Sequence, residues 1–147
     1  MVTPSTASIV DSKTMAVRVV VVDYDPEWPH LFEQIRAAVQ AAVGDLALAI
    51  EHVGSTAVPG LAAKPIVDVD VVVRAADVGE TVRRVALIGY GREGDLGISG
   101  RQAFISPIGA PAQHLYLCPE NSPALEAHLR FRDYLRANQE PQPNTVG

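Results

Sequence analysis

The sequence predicts an α/β domain, because runs typical of β-strands alternate with stretches of helical period along its 147 residues. The strand-like runs are rich in Val and Ile, and they lie at residues 16–22, 46–53, 66–73, 102–108 and 112–118. Apolar residues recur at helical spacing in residues 27–43, 76–88 and 123–135. A turn at residues 109–111 separates the last two strands, so we expect those two to pair antiparallel.

The predicted elements lie within residues 16–138, and the segments on either side have no periodic pattern. Residues 1–15 are small and polar, and residues 139–147 are rich in Pro, Gln and Asn. We expect a disordered leader at 1–15, one domain at 16–138 and a disordered tail at 139–147. Asp25 is the predicted N-cap of the first helix, and Pro26 is its predicted first-turn residue.

Composition and charge are ordinary for a globular protein. Hydrophobic residues make up 48% of the chain and charged residues 20%, and the net charge is -5, so broad electrostatic binding to nucleic acid is not expected. Cys118 is the only cysteine, which excludes an internal disulfide and a Cys-rich zinc site, and we expect it to be a small buried residue. No signal-peptide pattern opens the chain and no apolar run reaches membrane-spanning length. We therefore expect a cytoplasmic protein with no membrane partner.

The residues best suited to chemistry lie at 52–73, which read H-V-G-S-T-A-V-P-G-L-A-A-K-P-I-V-D-V-D-V-V-V. Asp68 and Asp70 share one face of the predicted strand, because successive side chains of a strand point to opposite faces. Two like charges side by side on an apolar strand repel each other and lose hydration. A divalent cation would remove that cost, and Mg²⁺ commonly takes one or two carboxylates together with substrate phosphates. The pattern therefore predicts a metal-and-phosphate site.

The same stretch offers groups for the phosphates. Gly54 in a tight turn would let the backbone approach a phosphate closely, and the hydroxyl of Ser55 could donate to it. Lys64 lies between this turn and the two aspartates. Each feature also has a simpler interpretation: a plain turn capped by Ser55 or Thr56, a solvated loop lysine, and sheet-end carboxylates paired with arginine.

Two residues outside these motifs are further candidates. Arg101 precedes a predicted strand, and it is either a phosphate contact or a surface charge. His52 stands two residues before Gly54, and it either orients a phosphate or fixes the turn. The sequence leaves both pairs of alternatives open.

These residues resemble the signatures of a known superfamily and of one family within it. A Gly-Ser pair followed, after a dozen residues, by Asp-hydrophobic-Asp on a strand resembles the nucleotidyltransferase signature. Residues 52–70 as a whole resemble the central motif of the GrpB family. V-D-Y-D-P-E-W-P-H-L-F at residues 22–32 and F-R-D-Y-L-R at residues 131–136 resemble that family as well. The resemblance covers residues 19–138.

The resemblance implies a nucleotidyltransferase-like α/β (α+β) fold, with a small mixed β-sheet, helices mainly on one face and the site at the sheet's open edge. It implies that Asp68 and Asp70 bind two Mg²⁺ ions, which activate the attacking hydroxyl and neutralise the leaving pyrophosphate. The candidate nucleotide contacts are Gly54, Ser55, Thr56, Lys64 and Arg101. The implied partners are a nucleoside triphosphate and an unknown acceptor.

The sequence departs from the superfamily pattern at the third carboxylate, which usually comes from a neighbouring strand. The late strand reads Q-H-L-Y-L-C and places His114 near the matching position. His114 is a candidate catalytic ligand or base, although imidazole suits Mg²⁺ poorly, and its alternative role is a structural hydrogen bond. Glu51 and Asp95 are the rival suppliers of the missing acid.

The F-R-D motif near the end of the chain adds Arg132 and Asp133 to the candidates. Arg132 could reach a carboxylate or a phosphate, or it could clamp the last helix to the sheet together with Asp133. Two functions follow from the sequence as a whole. One is Mg²⁺-dependent transfer of a nucleotidyl group from a nucleoside triphosphate to an acceptor. The other is a catalytically inactive module that binds a nucleotide or coenzyme-like ligand or assists a partner.

Overall fold

The computed structural model describes residues 20–97 and 100–139. Within these residues three α-helices follow in chain order: α1 Trp28–Val43, α2 Val78–Leu87 and α3 Pro123–Ala137. The same part of the chain forms five strands: β1 Ala49–Val53, β2 Val67–Val73, β3 Gly91–Gly94, β4 Gln102–Ile105 and β5 Gln113–Pro119. Short 3₁₀ helices lie at Gly44–Leu46, Ser55–Ala57 and Ala75–Asp77. The predicted leader and nearly all of the predicted tail lie outside the described residues.

The strands form one mixed sheet in the order β1-β2-β5-β4-β3. β2 and β5 pair parallel, whereas the other three pairings are antiparallel. The predicted antiparallel pairing of the last two strands is confirmed. The predicted fold class, a small mixed sheet in an α/β (α+β) arrangement, is confirmed as well.

Helices α1 and α2 cover one face of the sheet, and α3 covers the other. The alternation of β2 sends Val67, Val69, Val71 and Val73 toward α1 and α2, where they are at most 1% exposed. Val72 and Cys118 point the opposite way and pack with Leu125 of α3. Asp68 and Asp70 lie on this α3 face, because they alternate with the core valines.

Two predictions about element ends were wrong. The first helix begins at Trp28, so Pro29, not Pro26, occupies its first turn, and its N-cap is Glu27. Asp25 instead accepts a hydrogen bond from the Glu27 amide at 2.8 Å, in a turn just before the helix. The second predicted strand begins only at Ala49, because Gly44–Leu46 form a 3₁₀ helix that continues from α1.

The sequence predicts no strand at β3, since residues 93–100 are rich in Gly and charge and are expected to form a loop or hairpin tip. Gly91 and Arg92 pair with Ile105 and Phe104 of β4, so this strand forms through pairing alone and has no apolar pattern of its own. The predicted first strand at 16–22 lies mostly outside the described residues. Within them, Val22 forms an isolated antiparallel bridge with Ala63.

Candidate functional site

Strand β2 brings the two aspartates to the face of the sheet beneath α3. Asp68 lies opposite Val53 of β1 and His114 of β5 in the strand register, and its side chain is 28% exposed. Asp70 lies opposite Glu51 and Tyr116, and it is 0% exposed. The two carboxylates therefore lie on the same face of the sheet in different environments, since Asp68 is partly exposed to solvent and Asp70 is buried.

Gly54 places the Gly-Ser turn directly against Asp68. Its φ angle is +75°, a backbone conformation that favours glycine. A Cβ atom at this position would overlap Oδ2 of Asp68 and lie 3.1 Å from the Asp68 Cβ. No side chain larger than hydrogen fits here without displacing the carboxylate. The close approach of the turn to the Asp68 carboxylate thus depends on glycine at position 54.

A cleft of about 190 Å³ opens beside this contact. It gathers six residues that the sequence singled out: Gly54, Ser55, Thr56, Lys64, Asp68 and His114. Tyr116 and His128 complete its polar lining. The cleft thus brings together hydroxyl, ammonium, carboxylate and imidazole groups, which is a chemistry suited to a polyanion bound with a cation.

Each aspartate is bound by one histidine. His114 Nδ1 lies 2.8 Å from Asp68 Oδ1, and His128 Nδ1 lies 2.7 Å from Asp70 Oδ2. Both hydrogen bonds raise the pKa of the histidine above its usual 6.5, because the carboxylate stabilises the imidazolium. Burial raises the pKa of Asp70 despite its bond to His128. The Asp70–His128 pair therefore has both pKa values raised, that of Asp70 by burial and that of His128 by its bond to the carboxylate.

The free carboxylate oxygens fit a hard divalent cation. Asp70 Oδ1 is buried and has no hydrogen-bond partner among the described residues, which is an uncompensated cost of the kind a cation would relieve. The other oxygen of Asp68, Oδ2, borders Gly54. Across residues 20–97 and 100–139, however, no three His, Cys, Asp or Glu side chains are grouped to hold a metal. Both oxygens are hard donors of the kind that Mg²⁺ takes.

Neither rival acid stands free as a third ligand. Glu51 is directly opposite Asp70, but its Oε1 accepts from Arg132 Nη1 at 2.8 Å. Asp95 accepts from the amide of Gly97 at 2.9 Å in the loop after β3, and it does not line the cleft. The position across from Asp70 on β5 is occupied by Tyr116.

Arg101 is neither on the surface nor in the cleft. Only 8% of it is exposed, so the surface-charge interpretation was wrong. Its guanidinium carbon lies 4.3 Å from the centroid of the Tyr116 ring, a cation–π arrangement. Its Nε is buried and bonds to no residue within 20–97 or 100–139. Arg101 does not line the cleft, although the Tyr116 ring that it contacts does.

His52 supports the turn from the opposite side of β1. Its Nε2 lies 2.9 Å from the hydroxyl oxygen of Thr56, and its ring stacks on Phe32 of α1 at 4.8 Å between centroids. Burial, with help from the charges of Arg136 and Arg132, lowers the pKa of His52 to about 4. His52 is therefore neutral near pH 7, and of its two predicted roles the geometry matches the fixing of the turn.

Sequence reasoning missed His128, the partner of Asp70. The two residues are 58 positions apart, so no local motif joins them. A signal was nevertheless present: His128 stands four residues before Arg132, and residues at this spacing share a helix face. Once Arg132 was assigned to the sheet-facing side of the last helix, His128 belonged there too.

Comparisons with known proteins extend the family resemblance to most of the chain. The family model described as "GrpB protein" matches residues 18–143. The UPF0157 protein YqkA of Bacillus subtilis is 34% identical over 122 residues, which are 82% of this chain but 36% of YqkA. The UPF0157 protein BH1888 of Halalkalibacterium halodurans is 37% identical over 86% of this chain and 65% of its own length. The chain thus spans less than two thirds of either relative.

Solved structures share the fold. The conserved protein GrpB from Enterococcus faecalis superposes with a TM-score of 0.72 at 36% identity, covering 81% of this chain and 73% of that one. The Cid1 poly(U) polymerase superposes with a TM-score of 0.53 at 13% identity, covering 80% of this chain and 38% of that one. At this identity the second likeness concerns the fold alone, which is nucleotidyltransferase-like. Among the described residues, no helix has the length and apolar character needed to cross a bilayer.

Proposed function

We propose that this chain, which belongs to the GrpB family, binds a nucleoside triphosphate with a divalent cation in the cleft and transfers the nucleotidyl group to an acceptor. The observation that carries the proposal is the contact between the Gly54 turn and Asp68. It puts a phosphate-binding type of turn and a metal-binding type of carboxylate side by side. The orphaned oxygen of Asp70 adds a second ligand on the same face.

In this proposal each residue of the cleft has a role that follows from its chemistry, and Asp70, which is buried and does not line the cleft, contributes from strand β2. Asp68 and Asp70 would hold Mg²⁺, which supplies charge neutralisation for the phosphates when bound. The Ser55 hydroxyl and the Lys64 ammonium bind and orient the triphosphate. Asp68 fixes His114 through Nδ1, which leaves Nε2 to accept the proton of the acceptor hydroxyl.

Support for a metal-bound nucleotide comes from the structural neighbour. The Cid1 poly(U) polymerase has been solved with MgGTP bound, and that structure superposes on this chain with a TM-score of 0.52. Its 15% identity limits the likeness to the fold. The acceptor stays unspecified, and a cytoplasmic location, suggested by the single buried thiol of Cys118, belongs to the same proposal.

The proposal is tested by calorimetric titration of the protein with a non-hydrolysable nucleoside triphosphate in the presence of Mn²⁺. We expect saturable binding that is lost with EDTA and weakened at least about tenfold by Asp68→Asn, since a metal ligand and its charge are removed. Asp77→Asn is the matched control, because Asp77 lies before α2 and away from the cleft. Binding that ignores both EDTA and Asp68→Asn would contradict the proposal.

A catalytically inactive binding module is the second candidate, and one observation favours it. Asp70 is fully buried, and Tyr116 rather than an acid faces it across β5. If this candidate is correct, the nucleotide binds but labelled nucleotidyl transfer to any acceptor pool is absent. Release of pyrophosphate in a coupled assay, lost in Asp68→Asn, would instead identify the enzyme.

A further inference from the structure

We infer that α3 is a positioning element of the cleft, and that it acts through three side chains on one of its faces. These are His128, Arg132 and Arg136, which we call the basic stripe. They recur every four residues, so they lie on one face of the helix and extend over roughly 12 Å. The stripe ties β2, β1 and the Gly-Ser turn to one rigid helix.

Apart from the bond between Arg132 Nε and Asp133 on the same helix, at 2.8 Å, the contacts of the stripe fall on the candidate site or next to it. His128 Nδ1 lies 2.7 Å from Asp70 Oδ2. Arg132 Nη1 donates to Glu51 Oε1 at 2.8 Å and to the carbonyl oxygen of His52 at 3.2 Å. Arg136 Nε donates to the carbonyl oxygen of Ala57 at 2.9 Å. The stripe thus connects the Asp70 carboxylate, strand β1 and the end of the Gly-Ser turn to the same helix.

The packing of α3 indicates that these polar contacts set its placement over the turn. Leu125 in the first turn of α3 is its one fully buried side chain. Farther along, Phe131 and Tyr134 are half or more exposed, so they contribute little packing against the sheet. Leu129 and Leu135 are partly buried, and Arg132 and Arg136 add the polar contacts that hold the C-terminal half of α3 to β1 and to the turn.

The position of the turn matters because the Gly54 backbone and the Asp68 carboxylate are already in close contact, so a small shift of the turn would change this contact. The backbone at Gly54 approaches Asp68 so closely that even a Cβ would not fit. Residues 55–57 form a single 3₁₀ turn, in which the Ala57 amide donates to the Gly54 carbonyl and the Val58 amide to the Ser55 carbonyl. With Arg136 removed, the Ala57 carbonyl loses its donor and the turn is free to move relative to Asp68.

The first arm of the test needs no ligand. Hydrogen exchange of the Ala57 and Val58 amides is measured in wild type, Arg136→Met, Arg132→Met and the control Arg130→Met, which changes an exposed arginine of the same helix. We expect exchange about tenfold faster in Arg136→Met, the effect of losing one charge-assisted hydrogen bond, and unchanged in Arg130→Met. Arg136→Lys keeps a donor and should restore slow exchange.

Exchange of the Val69 and Val71 amides in β2 separates positioning from general stability. If Arg136 only stabilises the fold, Arg136→Met will speed the exchange of the Val69 and Val71 amides as much as that of the Ala57 and Val58 amides. This result would overturn the inference. It would also be overturned if the turn exchanges equally in Arg136→Met and Arg130→Met, or if Arg136→Lys does not restore protection.

The second arm rests on the proposed function and uses Mn²⁺ with a non-hydrolysable nucleoside triphosphate. We expect Arg136→Met to bind about tenfold more weakly than Arg130→Met, with Arg136→Lys in between. Equal affinity of Arg136→Met and Arg130→Met would overturn the coupling of the stripe to ligand binding. If wild type itself binds no nucleotide, the proposed function fails, and the exchange arm still decides whether the stripe positions the turn.

Discussion

Gly54 is the residue at which backbone conformation and site chemistry depend on each other. Its positive φ and its contact with Asp68 both exclude a side chain, for independent reasons. The sequence identified the Gly-Ser pair as a candidate turn but could not say what it touches. Only the pairing of β1 with β2 brings the end of one strand against the first aspartate of the other.

We expect Gly54→Ala to lower the free energy of unfolding by about 1–3 kcal/mol and to abolish binding of Mn²⁺ with a nucleoside triphosphate. The cause is a strained φ together with displacement of the Asp68 carboxylate. Urea denaturation and calorimetry measure the two effects. Gly79→Ala is the control: Gly79 is inside α2 with nothing within 4 Å, so alanine should stabilise by about 0.5–1 kcal/mol. Normal binding by Gly54→Ala would refute this account of the turn.

His52 predicts a pH dependence of stability. Its folded pKa of about 4 lies below its usual 6.5, so the unfolded chain binds more protons between these values. Stability from this group is therefore complete above about pH 6.5 and is lost as pH falls toward 4, by at most about 1.4 kcal/mol per pH unit. We expect His52→Gln, which keeps a donor for Thr56, to flatten the stability profile measured by urea denaturation at pH 4.5 to 7.5. If the stability of wild type and His52→Gln changes with pH in the same way, the claim that His52 is buried and neutral is contradicted.

Helix α3 is the element that sequence and structure describe most differently. Its existence and its start near residue 123 were predicted from the helical spacing of its apolar residues. A contact with a carboxylate or with the sheet was predicted for Arg132 only, because the partners of His128, Arg132 and Arg136 lie 58 to 81 residues away along the chain. Contacts of that range depend on how the helix docks, which local patterns do not report. Strand β3 was missed for the same reason, since pairing with β4 alone forms it.

The start of α3 offers a prediction for the element as a whole. The hydroxyl of Ser122 accepts from the Leu125 amide at 3.3 Å, and this residue is the N-cap. We expect Ser122→Ala to lower the free energy of unfolding by about 1 kcal/mol, because a buried helix amide loses its acceptor. Ser122→Thr keeps the oxygen and should recover most of the loss. Equal stability of the alanine and threonine variants in urea denaturation would show that the cap contributes nothing.

At the scale of the whole molecule, the sheet order explains why the candidate site lies where it does. The two central strands, β2 and β5, run parallel and carry Asp68, Asp70, His114 and Tyr116 on one face, with β1 ending in the Gly-Ser turn beside them. The family resemblance predicted this fold class and its mixed sheet. It did not predict that Tyr116 would face Asp70, or that each aspartate would be bound by a histidine.

The central claim is that Asp68 and Asp70 hold a divalent cation against the phosphates of a nucleotide. Its most direct test is a crystal of this protein soaked with Mn²⁺ and a non-hydrolysable nucleoside triphosphate, examined by anomalous scattering at the manganese edge. The account predicts one manganese peak within about 2.0–2.6 Å of carboxylate oxygens of both aspartates, with the triphosphate beside Ser55 and Lys64. A nucleotide bound in the cleft with no manganese at either aspartate would contradict it.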